Sequence, residues 1–258
     1  MKHKFLLILT AATLLASSSA KAWGGFGHTL IAYTAEQYLT PEAKAKCEQY
    51  LGHSVPYCAS WMDYWRTIPP YHESTHWHIC HADENNNLIQ DKDRCAALQI
   101  MRICKELKNY KKLPTEQVDI NLKLLIHMVG DMHCPSHIVY SPKIKNNNIR
   151  VKGKKFKRHT FWDSSPAIFY PKFDVEKYFN HFEVATDKQI KRYCKGTPEA
   201  WAMEQARIMR RTYELYEHDA EYTKLPLEVR NEMVKLTNDN IFKAGYRLAY
   251  LLNKIFAK

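Results

Sequence analysis

The chain has 258 residues and a formal net charge of +11. It contains no internal repeat, low-complexity tract or linker, so the sequence excludes a repeat protein and a string of small domains, and it predicts one large domain with a substantial core. The positive charge favours polyanionic partners, although many secreted proteins are basic for no specific reason.

Residues 1–22 have the features of a secretory signal peptide. Two lysines precede an apolar run over residues 5–15, and Ala20-Lys21-Ala22 suits signal peptidase. The apolar run is shorter than the roughly 20 residues that a membrane span needs, and no later stretch is as apolar. We therefore expect a secreted or periplasmic protein without stable membrane association, whose single domain covers residues 23–258.

Helix signals recur along the chain, whereas strand signals are scarce. They include prolines in first helical turns, a glycine after a helix end, and apolar residues at steps of three and four. The Lys- and Asn-rich stretch 141–158 is typical of a loop or short hairpin. The predicted fold is all-α, with long functional loops. The predicted helices run from Thr40-Pro41 to Gly52, over 116–133 (the central helix), from Thr197-Pro198 to about residue 218, and over roughly 227–256.

Seven cysteines in an exported chain suggest disulfides, because the compartment outside the cytosol is oxidising. An odd number leaves at least one thiol free. The spacing of the cysteines does not match a four-thiolate zinc site. The sequence does not determine the pairing, for which Cys80–Cys95 and Cys47–Cys58 are two candidates.

Histidine and aspartate recur at the spacing of one helical turn. His127 and Asp131 are four residues apart in the central helix, so both side chains lie on one face. His159 and Asp163 repeat this spacing, and His137 follows the central helix. Imidazole nitrogen and carboxylate oxygen are donors that zinc accepts. One such pair is more often a surface hydrogen bond, but two pairs together with His137 favour a metal site.

Several sequence blocks occur in an order that runs nearly from end to end. They are Trp23–His28, Ser60–Arg66, Trp77-His78, Leu125–His137, His159–Asp163 and Ala244–Asn253. In these blocks the chain resembles the S1/P1 nuclease family, zinc-dependent enzymes related in fold to bacterial zinc phospholipase C. The resemblance implies a single multi-helix domain of the phospholipase C/P1 nuclease type. It also implies a hydrolase that cleaves phosphodiester bonds in single-stranded DNA or RNA, and 3′-nucleotides.

The resemblance further implies a centre of three zinc ions. The first ion would be held by Asp63, His78, His127 and Asp131, and the second by His137, His159 and Asp163. The third would be held by the free amine and carbonyl of Trp23, by His28, and by Asp131 as a shared ligand. Independently of the family, signal cleavage before Trp23 makes that amine available.

The implied chemistry follows from the metal ions. Bound zinc lowers the pKa of water from about 15.7 towards 7, which makes a metal-bound hydroxide available near neutral pH. Asp63 would orient or deprotonate this nucleophile. An ion with only three protein ligands keeps an open position, which can hold the departing oxygen. Arg66 would meet the charge that grows on the phosphoryl oxygens.

Some positions near the implied substrate site depart from the family pattern. In the family, an aromatic residue follows the histidine that matches His78, and an aspartate stands two residues further on, and these contact a nucleobase. Here the two positions are Ile79 and His81, and Lys157 replaces an asparagine before His159. Stacking contributes about 1–3 kcal/mol per base, so we expect weaker base selectivity or a base site elsewhere.

Two other functions remain open at this stage. A phospholipase C-like phosphoesterase would use the same metal chemistry, but it should present an apolar rim that faces a membrane. A secreted binding protein would use zinc only to hold its fold, but it would need neither Arg66 nor an open zinc position. A monomer is expected in each case.

Overall fold

The computed structural model describes residues 23–89, 95–140 and 147–257, so the predicted signal peptide lies outside the described residues. Helices dominate this part of the chain, as the sequence predicts. They are α1 (Gly25–Gln37), α2 (Pro41–Leu51), α3 (Trp61–Trp65), α4 (Ala96–Leu107), α5 (Thr115–Met132), α6 (Arg158–Phe169), α7 (Val175–His181), α8 (Asp187–Tyr193), α9 (Pro198–Thr212) and α10 (Leu227–Phe256).

The boundaries of α2 and α9 have identifiable causes. The Thr40 side chain accepts a hydrogen bond from the backbone N–H of Ala43, and Gly52 ends α2 with a φ of +67°, a conformation that glycine adopts without strain. By contrast, α9 ends before the predicted residue 218. The side-chain amide of Asn147 donates to the carbonyls of Tyr213 and Tyr216, which a continuing helix would use itself.

The core is built around α5 and α10. From residue 124 to its end at Met132, α5 is buried on every side, and α10 buries most of its second half. The crossing of α1 and α10 is close, because a Cβ added at Gly245 would lie 2.5 Å from Cβ of Thr34. Because Gly245 has no side chain, α1 can pack directly against α10 at this crossing.

Two small sheets accompany the helices. One has the order β2 (Leu88–Ile89), β1 (Cys80–Ala82), β3 (Ile138–Tyr140), and the other the order β5 (Lys154–Phe156), β4 (Ile149–Val151), β6 (Ala220–Glu221). The antiparallel pair β4–β5 confirms a hairpin in the Lys- and Asn-rich stretch, whose residues 141–146 lie outside the described residues. The parallel pair β1–β3 aligns Cys80 with Ile138, and so it brings the segments that follow His78 and His137 side by side.

Among the described residues, we find no helix with both the length and the apolar composition of a membrane span. All seven cysteines are thiols in the structure, so neither candidate disulfide is formed. Nevertheless, the sulfur atoms of Cys80 and Cys95 are only 3.5 Å apart, and both residues are buried. The Cys80 hydrogen bond lowers the pKa of Cys95 to about 7, which favours a reactive thiolate.

We predict that Cys80 and Cys95 form a disulfide in an oxidising buffer of glutathione and its disulfide. Each thiol loses its hydrogen, and the two electrons pass to glutathione disulfide. The bond closes a loop of 15 residues, which should stabilise the fold by about 3 kcal/mol. Peptide mapping without reductant and urea unfolding check this. Cys80→Ser should abolish the stabilisation and Cys104→Ser should not. Free thiols at both positions after oxidation would contradict the prediction.

Candidate metal centre

The buried end of α5 carries two polar side chains of the site. His127 and Asp131 lie one turn apart, and both are fully buried. Burying a polar group is costly unless it finds partners, so an otherwise apolar helix end has to bring partners from elsewhere in the chain. The partners come from α1, α3 and the segment before β1.

Asp131 lies at the centre of the site. Its Oδ1 atom is 3.2 Å from Nε2 of His28 on α1, and its Oδ2 atom is 2.6 Å from Nδ1 of His78. Nε2 of His127 lies 3.4 Å from the same Oδ2 atom. Gly130 leaves the space for His28, because a Cβ there would lie 2.8 Å from Nδ1 of the histidine. The structure thus gathers three predicted ligands around one carboxylate.

The short helix α3 adds Asp63 and Arg66. Oδ1 of Asp63 lies 3.7 Å from Nε2 of His127, and Nε of Arg66 lies 3.4 Å from the same Oδ1 atom. Potential ligand atoms of Asp63, His78 and His127 lie within 4.8 Å of one another, and the same holds for His28, His127 and Asp131. The structure therefore groups the residues predicted for the first ion.

The residues predicted for the second ion form an adjacent group. Asp163 on α6 lies with Oδ1 3.7 Å from Nε2 of His137 and with Oδ2 3.2 Å from Nε2 of His159. Nδ1 of His137 lies 4.0 Å from Oδ1 of Asp131, so the two groups are contiguous. The structure brings all three predicted ligands together.

Burial and hydrogen bonding favour the neutral form of three histidines of the site. Nδ1 of His127 lies 2.9 Å from the carbonyl oxygen of Ala59, and Nδ1 of His137 lies 2.9 Å from that of His78. A carbonyl only accepts, so each Nδ1 carries the proton and each Nε2 keeps its lone pair for the site. Burial lowers the pKa of His127 well below its usual range, that of His137 to about 4, and that of His159 to about 3.

The site as a whole fits a group of cations. Burial raises the pKa of both Asp63 and Asp163, so the neighbouring groups, Arg66 beside Asp63 included, do not offset the loss of water around these carboxylates. Unsatisfied buried polar atoms call for a partner such as an ion. Within residues 23–89, 95–140 and 147–257, the site atoms without a hydrogen-bond partner include Nε2 of His28, His78, His127 and His137, both oxygens of Asp63, Oδ1 of Asp131 and Oδ2 of Asp163.

Trp23 lies where α1 begins, next to the helix that carries Asp163. Its side chain is fully buried against the first turn of α1, where a Cβ at Gly27 would lie 2.9 Å from that of Trp23. The backbone N–H of Gly24 donates to the carbonyl of Asp163 at 2.7 Å. The chain therefore enters the domain along the helix turn that carries Asp163.

Sequence reasoning missed two residues that hold Asp163. The Ser136 hydroxyl donates to its Oδ1 atom at 2.6 Å, and the Cys134 thiol donates to the same atom at 3.3 Å. Burial raises the pKa of Cys134 well above its usual range, which keeps it a thiol donor when no cation is bound. Both residues lie between the predicted ligands Asp131 and His137 in the sequence. That position was the one sequence feature that could have identified them.

His133, two residues after Asp131, makes its hydrogen bonds away from the site. Its Nδ1 atom lies 2.7 Å from the carbonyl oxygen of Val129, and its Nε2 atom accepts a hydrogen bond from Arg247 of α10 at 2.9 Å. Arg247 also pairs with Glu204 of α9. His133 thus links the end of α5 to two other helices.

His159 and Arg66 are the most exposed of the side chains predicted for the site. Their side chains are 31% and 13% exposed, whereas those of Asp63 and Asp131 are 1% exposed or less. Arg158, which precedes His159, is buried, with its guanidinium 3.6 Å from the centre of the Tyr213 ring and hydrogen-bonded to the carbonyl of Pro135. The approach to the centre therefore lies between α3 and the start of α6.

Comparison with known proteins identifies similar proteins that are named as nucleases and endonucleases. Nuclease P1 of Penicillium citrinum is 28% identical over 155 residues, which cover 55% of this chain and 57% of that protein. Endonuclease 2 of Arabidopsis thaliana is 28% identical over 180 residues, 63% of this chain and 62% of that protein. Nuclease S1 of Aspergillus oryzae is 27% identical over 172 residues, 62% and 60% of the two chains. The matched part of the chain thus spans about three fifths of each relative.

The match to the family itself is more extensive than these pairwise alignments. The model of the S1/P1 nuclease family matches residues 23–257. This range contains α1 to α10 and every residue of the candidate metal centre. The chain belongs to the S1/P1 nuclease family.

Proposed function

We propose that this chain is a zinc-dependent phosphodiesterase that hydrolyses single-stranded nucleic acid and 3′-nucleotides at a centre of three zinc ions. The observation that carries the proposal is the buried set of imidazole nitrogens and carboxylate oxygens around Asp131 that have no hydrogen-bond partner. Such nitrogen-rich sets suit zinc. The family match, and relatives named as nucleases and endonucleases, support the substrate class.

The proposed ligands follow the two groups of side chains. Asp63, His78, His127 and Asp131 would hold one ion, and His137, His159 and Asp163 the second. Trp23, through its amine and carbonyl, would hold the third with His28 and Asp131. The distances within the two groups support the first two ions. The third also depends on export and signal cleavage before Trp23, which we propose on the features of residues 1–22.

Zinc bound at this centre would supply positive charge for the phosphoryl oxygens and would make water acidic enough to react near neutral pH. The protein supplies position and proton transfer. Asp63 is buried in the centre and lies against Arg66, and its carboxylate can accept a proton from the attacking water. Arg66 can donate two hydrogen bonds to the phosphate and meet its growing charge. Ser136 fixes the orientation of Asp163.

A phospholipase C-like activity is the second candidate. The observation that favours it is the exposure of Trp65 and Ile68 close to Arg66, at 43% and 47%. A membrane-facing rim would expose side chains of this kind. A non-catalytic, zinc-stabilised protein is disfavoured, because a centre that serves only the fold needs neither Arg66 beside Asp63 nor an open side.

A side-by-side assay on single-stranded DNA, RNA, a 3′-mononucleotide and phosphatidylcholine tests the function. We expect the zinc-loaded protein to hydrolyse the first three and to leave the lipid largely intact. Chelation should abolish activity, and zinc but not magnesium should restore it, because magnesium prefers all-oxygen ligands. Faster hydrolysis of phosphatidylcholine would favour the second candidate. Activity that needs magnesium after complete zinc removal would refute the metal assignment.

Substitutions should separate chemistry from assembly. We expect Asp63→Asn and Arg66→Ala to lower turnover by roughly 10²- to 10³-fold while the protein stays folded. Asp131→Ala should also lose zinc and lower the melting temperature by several degrees, because it removes the shared carboxylate. Zinc analysis, calorimetry and initial rates check this, with the exposed Asp239→Ala as the control. Near-normal turnover with full zinc content in Arg66→Ala would remove Arg66 from the catalytic residues.

The third ion makes a prediction about the N-terminus. Protein made with one extra methionine before Trp23 should bind about two zinc ions instead of three and turn over far more slowly. The extension converts the amine into an amide, whose delocalised lone pair makes it a poor ligand. Metal analysis and rates on single-stranded DNA, compared with protein that begins at Trp23, check this. Three zinc ions and full activity in the extended protein would limit Trp23 to core packing.

A further inference from the structure

The aromatic side chains of α3 form an exposed patch beside the metal centre. The Tyr64 residue is 63% exposed and the Trp65 residue 43%. The preceding residues of the same helix, Met62 and Asp63, are buried. Large aromatic side chains usually bury most of their surface against other residues. A cluster of them that is exposed to solvent therefore marks a site of interaction.

The Trp65 ring of the patch is ordered by contacts with the rings of Trp61 and Tyr71. The Trp65 ring stacks on that of Trp61, with ring centres 5.9 Å apart and planes 19° apart. The edge of Tyr71 packs against both rings, at 4.9 Å and 6.1 Å. On Trp61, the ammonium group of Lys123 lies 5.4 Å from the ring centre. A ligand that stacks here meets rings already held in place, so its binding costs little conformational entropy.

The patch is continuous with the centre through the backbone of α3. Tyr64 and Trp65 are the two residues between Asp63, which lies beside His127, and Arg66, which lies beside Asp63. Adjacent Cα atoms are about 3.8 Å apart, so the backbone of both aromatic residues lies within one helical turn of the proposed phosphate contact. A strand with one phosphate at Arg66 can therefore extend over the outer face of α3 and reach these rings with a neighbouring nucleotide.

The chemistry of the surrounding segment favours bases over a membrane. In residues 61–76, the exposed apolar side chains beside the aromatic ones are Ile68, Pro69 and Pro70, Glu73 is an exposed carboxylate, and the sequence of this segment contains no lysine. A membrane-binding surface combines aliphatic side chains with several lysines or arginines instead. Flat aromatic faces beside a single guanidinium match a base and its phosphate.

We propose that Tyr64 and Trp65, supported by Trp61 and Tyr71, form a stacking platform for nucleobases of single-stranded nucleic acid whose phosphate lies at Arg66. The proposal rests on the proposed function for the phosphate at the centre. It adds a base-binding surface of this chain's own at residues outside the metal ligands. Since every base has an aromatic face, the platform binds strands with little preference for sequence.

The test compares two strands that differ only in their bases. An oligothymidylate and an abasic deoxyribose-phosphate strand of equal length are bound to zinc-loaded protein in an Asp63→Asn background, and affinity is measured by fluorescence anisotropy. Removing both rings with Tyr64→Ala and Trp65→Ala should weaken binding of oligothymidylate by about tenfold or more. Binding of the abasic strand should change by much less. Trp65→Phe should retain most of the affinity.

The control is Tyr250→Ala, which removes a tyrosine that is 37% exposed on α10 and should leave both affinities unchanged. Melting curves show whether each variant is folded. Equal losses on both strands, or no loss on either, would overturn the platform. So would vesicle binding or self-association that the double variant loses while it keeps its affinity for oligothymidylate.

Failure of the proposed function gives a different result from failure of the platform. If the zinc-loaded parent protein leaves single-stranded DNA intact while the base-dependent affinity persists, then the proposed hydrolysis is wrong and the platform stands. If the parent protein cleaves DNA while the two strands respond equally to the double substitution, then the hydrolysis stands and the platform is wrong.

Discussion

The buried carboxylate of Asp131 is the constraint on which the rest of the site depends. A carboxylate without solvent is costly unless charges or hydrogen-bond donors surround it, and Asp131 has no solvent exposure. Its two oxygens accordingly lie close to imidazoles from α1, from α5 and from the segment before β1. These contacts fix the positions of His28 and His78 relative to α5. A cation at the same place would balance the negative charge of the carboxylate.

The packing of the neighbouring helices helps to keep the partners of Asp131 in place. Gly130 lets α1 approach closely enough for His28 to reach the carboxylate. On the opposite side, His133 accepts a hydrogen bond from Arg247, whose partner is Glu204, so the end of α5 is tied to α9 and α10. The helix is thus held from two sides by polar contacts in a largely apolar core. Stability and ligand geometry depend on the same few residues, which is why we expect substitutions here to affect both.

The sequence predicts those parts of the site that helical periodicity determines. His127 and Asp131 are four residues apart in a segment with helical spacing, so their common face could be inferred directly. The contact of His28 with Asp131 spans more than a hundred positions, and no local pattern contains it. Only the resemblance to a family suggested it.

The boundaries of helices and strands also differ in how well the local sequence predicts them. The start and end of α2 depend on Thr40 and Gly52, which are local signals. The early end of α9 depends on Asn147, which lies far from α9 in the sequence. Similarly, the parallel pair β1–β3 joins short distant segments that carry little strand signal of their own. Local chemistry was therefore predictable, and long-range hydrogen bonds were not.

The two faces of α3 separate chemistry from recognition. Asp63 points into the centre, where a change would disturb metal ligands and proton transfer together. Tyr64 and Trp65 point outward, where a change alters the surface that a strand meets but none of the contacts around Asp131. Because both faces belong to a helix of five residues, recognition can vary at positions adjacent to the chemistry without altering it. In this chain Ile79 stands where the family has an aromatic residue, and His81 stands where it has an aspartate. The proposed stacking rings of α3 would then take over base contacts that these two positions provide elsewhere in the family, on the same helix as Arg66, the proposed phosphate contact.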